Sequence, residues 1–414
     1  MEYSNTFIVE INHPSVRGTL AKHGKPGKPQ SLNTIIIFKT NLTKEVVATL
    51  AGVVTVEEES FDTPFEIGVQ SRPLNWFLPS ASDTMPDYHY AKTGAGVAIY
   101  IMDSGIRLDH KDFVGRHIET VFSYDGLDYG GDVDGPDHGT MAASCAAGNE
   151  HGIAKGANIY NLRYNWSSTE GIKALDAMLT HHMTHTMSSV LSMSFSSTSN
   201  IYSSVFATLA NRGIVLVAAA GNYNEPFPRF PAMRSDVIAV AACDSNLYPS
   251  IWGGGQATNY GKEIDIWAGG TGGVAASITS ATATQWAGGT SSACPLVAGN
   301  VALILEGYDK LINYQEVMDT KAVLIEGSRK DVIKYDDPKY NETPNRYIYT
   351  LSAPKAPPPM PPDVEPVPTP DPTPVPIDDI EPWFEPIDTD EKSDTMPLIL
   401  IGIGIAIVAL LVLL

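Results

Sequence analysis

The chain has 414 residues, room for one large α/β domain with appendages or for about two or three smaller units. With 43% hydrophobic residues a sizeable core can be buried, which excludes wholesale disorder. Its 47 acidic and 27 basic side chains give a formal net charge of -20, which excludes the basic footprint of a nucleic-acid-binding protein. The excess is uneven: residues 363–394 carry eleven acidic side chains and one basic one, Lys392, a net -10.

At the start of the chain, Met1 to Asn5 has no basic run, and Phe7-Ile8-Val9 is broken by Glu10. No cleavable secretory signal is expected. Thr6 to Ile11, Thr34 to Lys39 and Val53 to Glu57 have strand composition, and residues 43–51 predict a short helix capped by Asn41 or Thr43. Residues 1–72 therefore predict a small α+β module, too short for a large core of its own.

Residues 73–352 alternate apolar strand-like runs with small-residue helical runs. Strands are predicted at 97–102, 190–194, 214–219 and 237–241, and helices at 168–182, 201–211, 291–306 and 315–326. Runs that are apolar on both faces, separated by helices, predict an α/β fold with a mostly parallel central sheet and helices on both faces. Cys145, Cys243 and Cys294 are an odd number and far apart, so they are expected as core thiols and not as disulfide or zinc ligands.

Residues 353–386 contain fourteen prolines, a composition that sustains neither helix nor sheet. Residues 353–396 predict an extended acidic stalk. Residues 397–414 are eighteen residues without a charge, which as a helix span roughly 27 Å. That run predicts a C-terminal membrane-spanning helix, with the lipid bilayer as a partner.

Ligands of parallel sheets collect at the carboxyl ends of the strands, and several polar clusters fall there. Asp103 follows the strand at 97–102 and precedes Ser104-Gly105. His138 opens a helical run in Asp137-His138-Gly139-Thr140, and Asn222 follows Ala218-Ala219-Ala220-Gly221. Ser291 stands in Gly288-Gly289-Thr290-Ser291-Ser292-Ala293-Cys294-Pro295, where the glycines allow a tight approach and Pro295 is tolerated only in the first helical turn. Such a serine sits on a helix N-terminus, whose dipole favours developing negative charge. Each motif alone reads as an ordinary turn. Their conjunction at element boundaries of one α/β domain points to nucleophilic catalysis.

The same motifs, Asp103-Ser104-Gly105, His138-Gly139-Thr140, Ala220-Gly221-Asn222 and Gly289 to Pro295, resemble those of the subtilisin-like serine proteases, proteinase K-like members included, over residues 74 to about 330. The resemblance implies a serine endopeptidase acting on polypeptides. Ser291 would be the nucleophile, His138 the general base, and Asp103 the residue that orients the imidazole. The Asn222 side chain and the Ser291 backbone N–H would form the oxyanion hole. Ser192, Met193 and Ser194 would pair with an extended substrate, and Ala218, Ala219 and Ala220 would line the opposite side of the pocket. Residues 6–57 resemble the family's inhibitory propeptide, which implies that residues 1–72 are an inhibitor the enzyme removes itself. No cofactor is required for the chemistry. The family often binds structural calcium, and Asp265 occupies a position resembling one ligand.

The chain departs from the family at several places. Met141 and Ser144 replace a usual histidine and glycine, Ser292 a methionine, and Ser196-Ser197, preceded by Phe195, a glycine pair. None removes a triad or oxyanion group, but the serines add bulk beside the substrate strand. A catalytically inactive binding or scaffolding protein on the same fold is the alternative. His181 and His185 have a metal-ligand spacing but are expected as a solvated helix end. The sequons at Asn41, Asn165 and Asn341 matter only for a translocated body, and with no signal segment the catalytic domain is expected on the cytoplasmic side of the membrane.

Overall fold

The computed structural model describes residues 5–11, 20, 22, 24–26, 35–40, 44–50, 53–58, 63–64, 76–82, 88, 90, 92–129, 138–197, 200 and 202–350. The chain divides into two compact units, Met1–Pro358 and Pro359–Leu414, and every described residue lies in the first.

Strands β1 (Asn5–Ile11), β2 (Gly24–Pro26), β3 (Ile35–Thr40) and β4 (Val53–Glu58), with helix α1 (Lys44–Ala48), open the chain. The strands form an antiparallel sheet in the order β2-β3-β1-β4. Only β2 is unanticipated: Gly-Lys-Pro has no strand pattern and gains its form by pairing with β3. This sheet belongs to the same compact unit as everything described after it. The short strand β5 (Thr63–Pro64) and helix α2 (Phe77–Ser82) follow.

Strands β6 (Val97–Asp103), β7 (Ile118–Ser123), β8 (Asn158–Arg163) and β9 (Ser188–Met193) come next, with helix α3 (His138–Ala147) before β8 and α4 (Ser168–His182) before β9. After them come β10 (Phe195–Ser196), α5 (Ser203–Asn211), β11 (Ile214–Ala219) and β12 (Val237–Cys243). Two hairpins flank β15 (Ile266–Gly269): β13 (Ile251–Gly253) with β14 (Gln256–Ala257), and β16 (Gly273–Ala276) with β17 (Thr284–Ala287). Helices α6 (Thr290–Leu305) and α7 (Tyr314–Glu326) and strands β18 (Arg329–Lys330) and β19 (Arg346–Tyr347) complete the described chain.

The central sheet has nine strands in the order β18-β19-β15-β12-β11-β9-β6-β8-β7. Its pairs are parallel except β18 with β19, so the expected mostly parallel sheet is a mixed one with its antiparallel pair at one edge. Alternation along β6 builds both cores. Val97, Ile99 and Ile101 pack with α3 and α6, while Ala98, Tyr100 and Met102 pack with α4 and α5 on the other face. The four expected helices are α4 to α7, each bounded within two residues of its expected ends. Strands β7 and β8 escape the sequence pattern because Glu119, Asn158, Asn161 and Arg163 interrupt their apolar runs. From β6 the chain builds first toward β8 and then toward β9, which leaves a crevice outside the carboxyl ends of those two strands.

The expected membrane anchor is corrected. Among the described residues no helix is long and apolar enough to cross a membrane, and α6, their longest at 16 residues, is buried in the core. Residues 397–414 and the 353–396 stalk lie outside the described residues. Absence of charge is a hydropathy condition for a span and by itself specifies no helix. The lipid bilayer as a partner and the cytoplasmic placement, both built on the anchor, fall with it.

Candidate active site

Strand β6 delivers Asp103 to the crevice, and helix α3 begins with His138. The two elements meet closely because both carry glycine. A Cβ on Gly139 would stand 2.3 Å from the Gly105 carbonyl oxygen, so no larger residue allows this approach. The Ser104 amide donates to Asp103 Oδ1 at 2.7 Å, and the Gly139 amide donates to Ser104 Oγ at 3.0 Å. His138 Nδ1 then lies 2.9 and 2.8 Å from the two Asp103 carboxylate oxygens. An anion facing Nδ1 holds the proton there and leaves Nε2 as the acceptor. Nε2 is buried and has no hydrogen-bond partner among the described residues. The Trp166 ring stands edge-on to the imidazole at 6.1 Å between centroids.

Behind this turn lies Arg163, which the sequence reading passed over. Its guanidinium donates to the Ser104 carbonyl and is held by Asp125 at 3.1 and 2.8 Å. That hydrogen-bonded guanidinium holds the Asp125 carboxyl well below the usual carboxylate range.

Ser291 occupies the first turn of α6, entered through Gly289 at φ 77°. Its Oγ donates to the Ser194 carbonyl at 3.3 Å, and Ser194 Oγ donates to the Ser291 carbonyl at 2.9 Å. Pro295 is not confined to the first turn as expected but lies inside the helix. It has no N–H for the carbonyl four residues back, which is that of Ser291, and Ser194 Oγ supplies the missing donor.

Asn222 lies across from Ser291. Its Oδ1 accepts from the Thr290 amide and the Thr290 hydroxyl, both at 2.9 Å. Its Nδ2 is buried without a hydrogen-bond partner among the described residues. A Cβ on Gly289 would stand 3.1 Å from that Nδ2 and 3.5 Å from the Ser291 amide nitrogen. Two donors thus converge on the space this glycine leaves open. The Asn222 loop is fixed by Asn259, whose Nδ2 donates to the Ala220 carbonyl at 3.1 Å and whose Oδ1 accepts from the amides of Tyr223 and Glu225 at 2.9 and 3.1 Å. Asn259 escaped the sequence reading because an Asn-Tyr-Gly run is an ordinary turn signal. Asp103, His138, Asn222 and Ser291 are 1%, 4%, 3% and 0% exposed, so charges and dipoles here act with little screening.

The residues expected to meet the substrate lie at the carboxyl ends of β9 and β11. Ser192 and Met193 lie in β9, hydrogen-bonded to β6 on one side and β11 on the other, so they offer no free edge. After Ser194 comes β10, where Phe195 and Ser196 pair antiparallel with Pro64 and Thr63 of this same chain. Ala218 and Ala219 are likewise paired on both sides within the sheet, and Ala220 donates to the Val240 carbonyl at 2.9 Å. Of the departures, Ser144 has a clear role. Its hydroxyl donates to the buried Asp112 carboxylate at 2.6 Å and accepts from the Ala276 amide at 2.9 Å.

The three cysteines are free and buried, in keeping with core thiols. Burial pushes the Cys294 thiol up to about 12, which disfavours the thiolate form. The histidine cluster is not a solvated helix end: His181 Nδ1 and His185 Nε2 lie 2.7 and 2.8 Å from the Tyr100 hydroxyl, and His182 is buried. Among the described residues no group of three or more His, Cys, Asp or Glu could hold a metal ion. Asp265 does not fit its expected calcium role. Its Oδ2 is ion-paired with Lys321 Nζ at 2.7 Å, which puts a positive group where the cation would sit.

A family model, Peptidase_S8 or the subtilase family, matches residues 94–347, more than half of the chain. The chain is 34% identical over 252 residues to an extracellular serine proteinase of Thermus sp. (strain Rt41A), covering 58% of each. It is 34% identical over 226 residues to a cuticle-degrading serine protease of Orbilia oligospora, covering 52% of this chain and 51% of that one. The chain thus spans between half and three-fifths of the length of these curated relatives. In fold it resembles the crystal structure of a cold-adapted subtilisin-like serine proteinase, with a TM-score of 0.57 and 23% identity, covering 67% of this chain and 98% of that one.

Proposed function

Because the chain belongs to the subtilase family, we propose that it is a serine endopeptidase that cleaves polypeptides through an acyl-enzyme on Ser291. The observation that carries this reading is the pair of orphaned atoms among the described residues, His138 Nε2, on an imidazole held by Asp103, and Asn222 Nδ2, which with the Ser291 amide borders the space at Gly289. Buried polar atoms without partners are rare and need a reason. An acceptor for a serine proton and a donor for an oxyanion supply one.

In the proposed reaction the Ser291 side chain turns from the Ser194 carbonyl to His138. Its Oγ attacks the scissile carbonyl carbon while its proton passes to Nε2, and Asp103 stabilises the imidazolium. The carbonyl oxygen becomes an oxyanion that accepts from Asn222 Nδ2 and the Ser291 amide, which as a helix-start amide has no intrahelical acceptor. The tetrahedral intermediate collapses, the C–N bond breaks, and Nε2 returns the proton to the leaving amine. Water then hydrolyses the ester by the same path. An extended substrate would pair along β10, with Ala218, Ala219 and Ala220 lining the opposite wall.

The pairing of β5 with β10 supports a second element of this reading. An upstream segment already lies on the edge a substrate would use, and a small sheet module precedes it. Residues 1–72 would then be an inhibitory propeptide that the enzyme removes itself. A serine-directed fluorophosphonate probe tests the chemistry: wild type should label, and Ser291→Ala and His138→Ala should not. Labelling that survives both changes rejects the enzyme and favours the inactive scaffold. N-terminal sequencing of Ser291→Ala protein should find the first residues retained, and removal at the wild-type rate rejects self-cleavage.

A further inference from the structure

We propose that the ε-ammonium of Lys321 is a built-in replacement for a bound cation at the amino ends of β12 and β15, and that removing this amine uncovers a latent calcium site. Lys321 projects from α7. Its Nζ donates to the carbonyl oxygens of Ser235 and Val237 at 3.0 and 2.8 Å and pairs with Asp265 Oδ2 at 2.7 Å. An ammonium has three N–H groups, and here each has one oxygen.

The oxygens are there for a reason that precedes the lysine. On the edge of β12 facing β15, Asp265 takes the place of a strand residue: its Oδ2 accepts from the Ala239 amide at 2.8 Å, and its amide donates to the Ala239 carbonyl at 3.0 Å. The register between the strands begins only at Val240 with Ile266. The Val237 carbonyl is therefore left without a strand partner on that side, and a buried carbonyl needs one. The neighbouring Asp236 does not compete, because Arg234 holds both its oxygens at 2.8 and 2.6 Å.

Two carbonyls and a carboxylate are the oxygen donors a calcium ion takes, yet calcium needs about six to eight of them at roughly 2.3–2.6 Å. Three oxygens at hydrogen-bond distance from a nitrogen suit an amine. With the side chains of Lys321 and Asp265 only 12% and 15% exposed, water has little room to complete a metal's shell. Cut back to a short neutral side chain, the same position offers three protein oxygens and the volume of the lysine stem.

Thermal unfolding of the full chain in excess EGTA and in millimolar calcium tests this, with Lys321→Ala and Lys321→Gln as variants. In EGTA each variant should melt on the order of 5 °C below wild type. Calcium should return at least half of that loss to Lys321→Ala and leave wild type unmoved. The double variant Lys321→Ala/Asp265→Asn should gain nothing from calcium. Lys321→Gln offers two N–H donors toward the three oxygens and remains measurable if the alanine variant does not fold. A calcium-dependent rise in wild type that Asp265→Asn abolishes overturns the proposal. So do variants that melt with wild type in EGTA, or a loss that calcium does not reverse.

Discussion

Ser194 and Ser291 are joined by two hydrogen bonds that run in opposite directions, Ser194 Oγ to the Ser291 carbonyl at 2.9 Å and Ser291 Oγ to the Ser194 carbonyl at 3.3 Å. The first exists because Pro295 leaves that carbonyl without its helical donor. The second holds the Ser291 hydroxyl against the Ser194 carbonyl, from which the proposed reaction must release it. Ser194, just past the end of β9, thus anchors the start of α6 and holds the Ser291 hydroxyl.

Ser194→Ala should therefore destabilise the fold by about 1–3 kcal/mol, the cost of an unpaired buried acceptor. Adding Pro295→Ala gives the Ser291 carbonyl an N–H from within the helix and should recover most of the loss. Urea unfolding of the two single variants and the double variant measures the coupling. A double variant no more stable than Ser194→Ala rejects this account of the proline.

Gly289 should behave in kinetics like part of the oxyanion hole although it has no side chain. At φ 77° and ψ 169° it lies in backbone space that costs other residues about 1–3 kcal/mol. A Cβ there would also crowd Asn222 Nδ2 at 3.1 Å. Asn222→Ala should lower kcat by about 100- to 1000-fold with KM little changed, the loss of one oxyanion donor. Gly289→Ala should lower kcat in the same direction with KM again held. A Gly289→Ala enzyme that melts earlier but turns over normally would falsify the role in catalysis.

The parts of this molecule legible in the sequence are those that local pattern dictates. The all-apolar run at 97–102 predicts β6, and the motif at its end predicts Asp103. The helices α4 to α7 follow from apolar spacing and capping residues such as Asn313 and Ser167, whose side chains accept from the amides three residues on. What escaped depends on contacts between distant segments. Nothing near Asp265 announces Lys321, nothing near Pro295 announces Ser194, and the pairing of Thr63–Pro64 with Phe195–Ser196 has no local signature. The anchor failed for a different reason: hydropathy measures the apolarity of a segment and not its structure.

Ser144 offers a test in which restoring the family's residue should harm the protein. The hydroxyl bridges the buried Asp112 carboxylate and the Ala276 amide of β16. Ser144→Gly removes a charge-assisted hydrogen bond and leaves a buried amide short of its acceptor, which should cost about 1–3 kcal/mol. Ser144→Thr keeps the hydroxyl and should cost less. Equal urea midpoints for wild type and Ser144→Gly overturn the prediction.

Acid should weaken the fold through His182. Its Nδ1 lies 2.8 Å from Ser189 Oγ and its Nε2 lies 3.1 Å from the Arg212 carbonyl. The carbonyl fixes the proton on Nε2, so Nδ1 accepts from the serine and the ring is seated neutral. Burial, helped by the Lys310 ammonium, pushes the imidazole down to about 4. In the unfolded chain an ordinary histidine titrates near 6.5. Above that value both states are neutral and this residue adds no pH dependence. Between about 6.5 and 4 the unfolded state binds the extra proton, so stability falls as the pH falls, by at most about 3 kcal/mol. Carboxylates titrate toward the lower end of the same window, so the measurement is the difference between wild type and His182→Gln in urea midpoint from pH 7 to pH 4.5. Wild type should lose more stability over that interval, with the two curves diverging below about pH 6.5. Parallel curves mean that His182 is not held neutral by its surroundings, and the charged ring is then accommodated between Ser189 and Arg212.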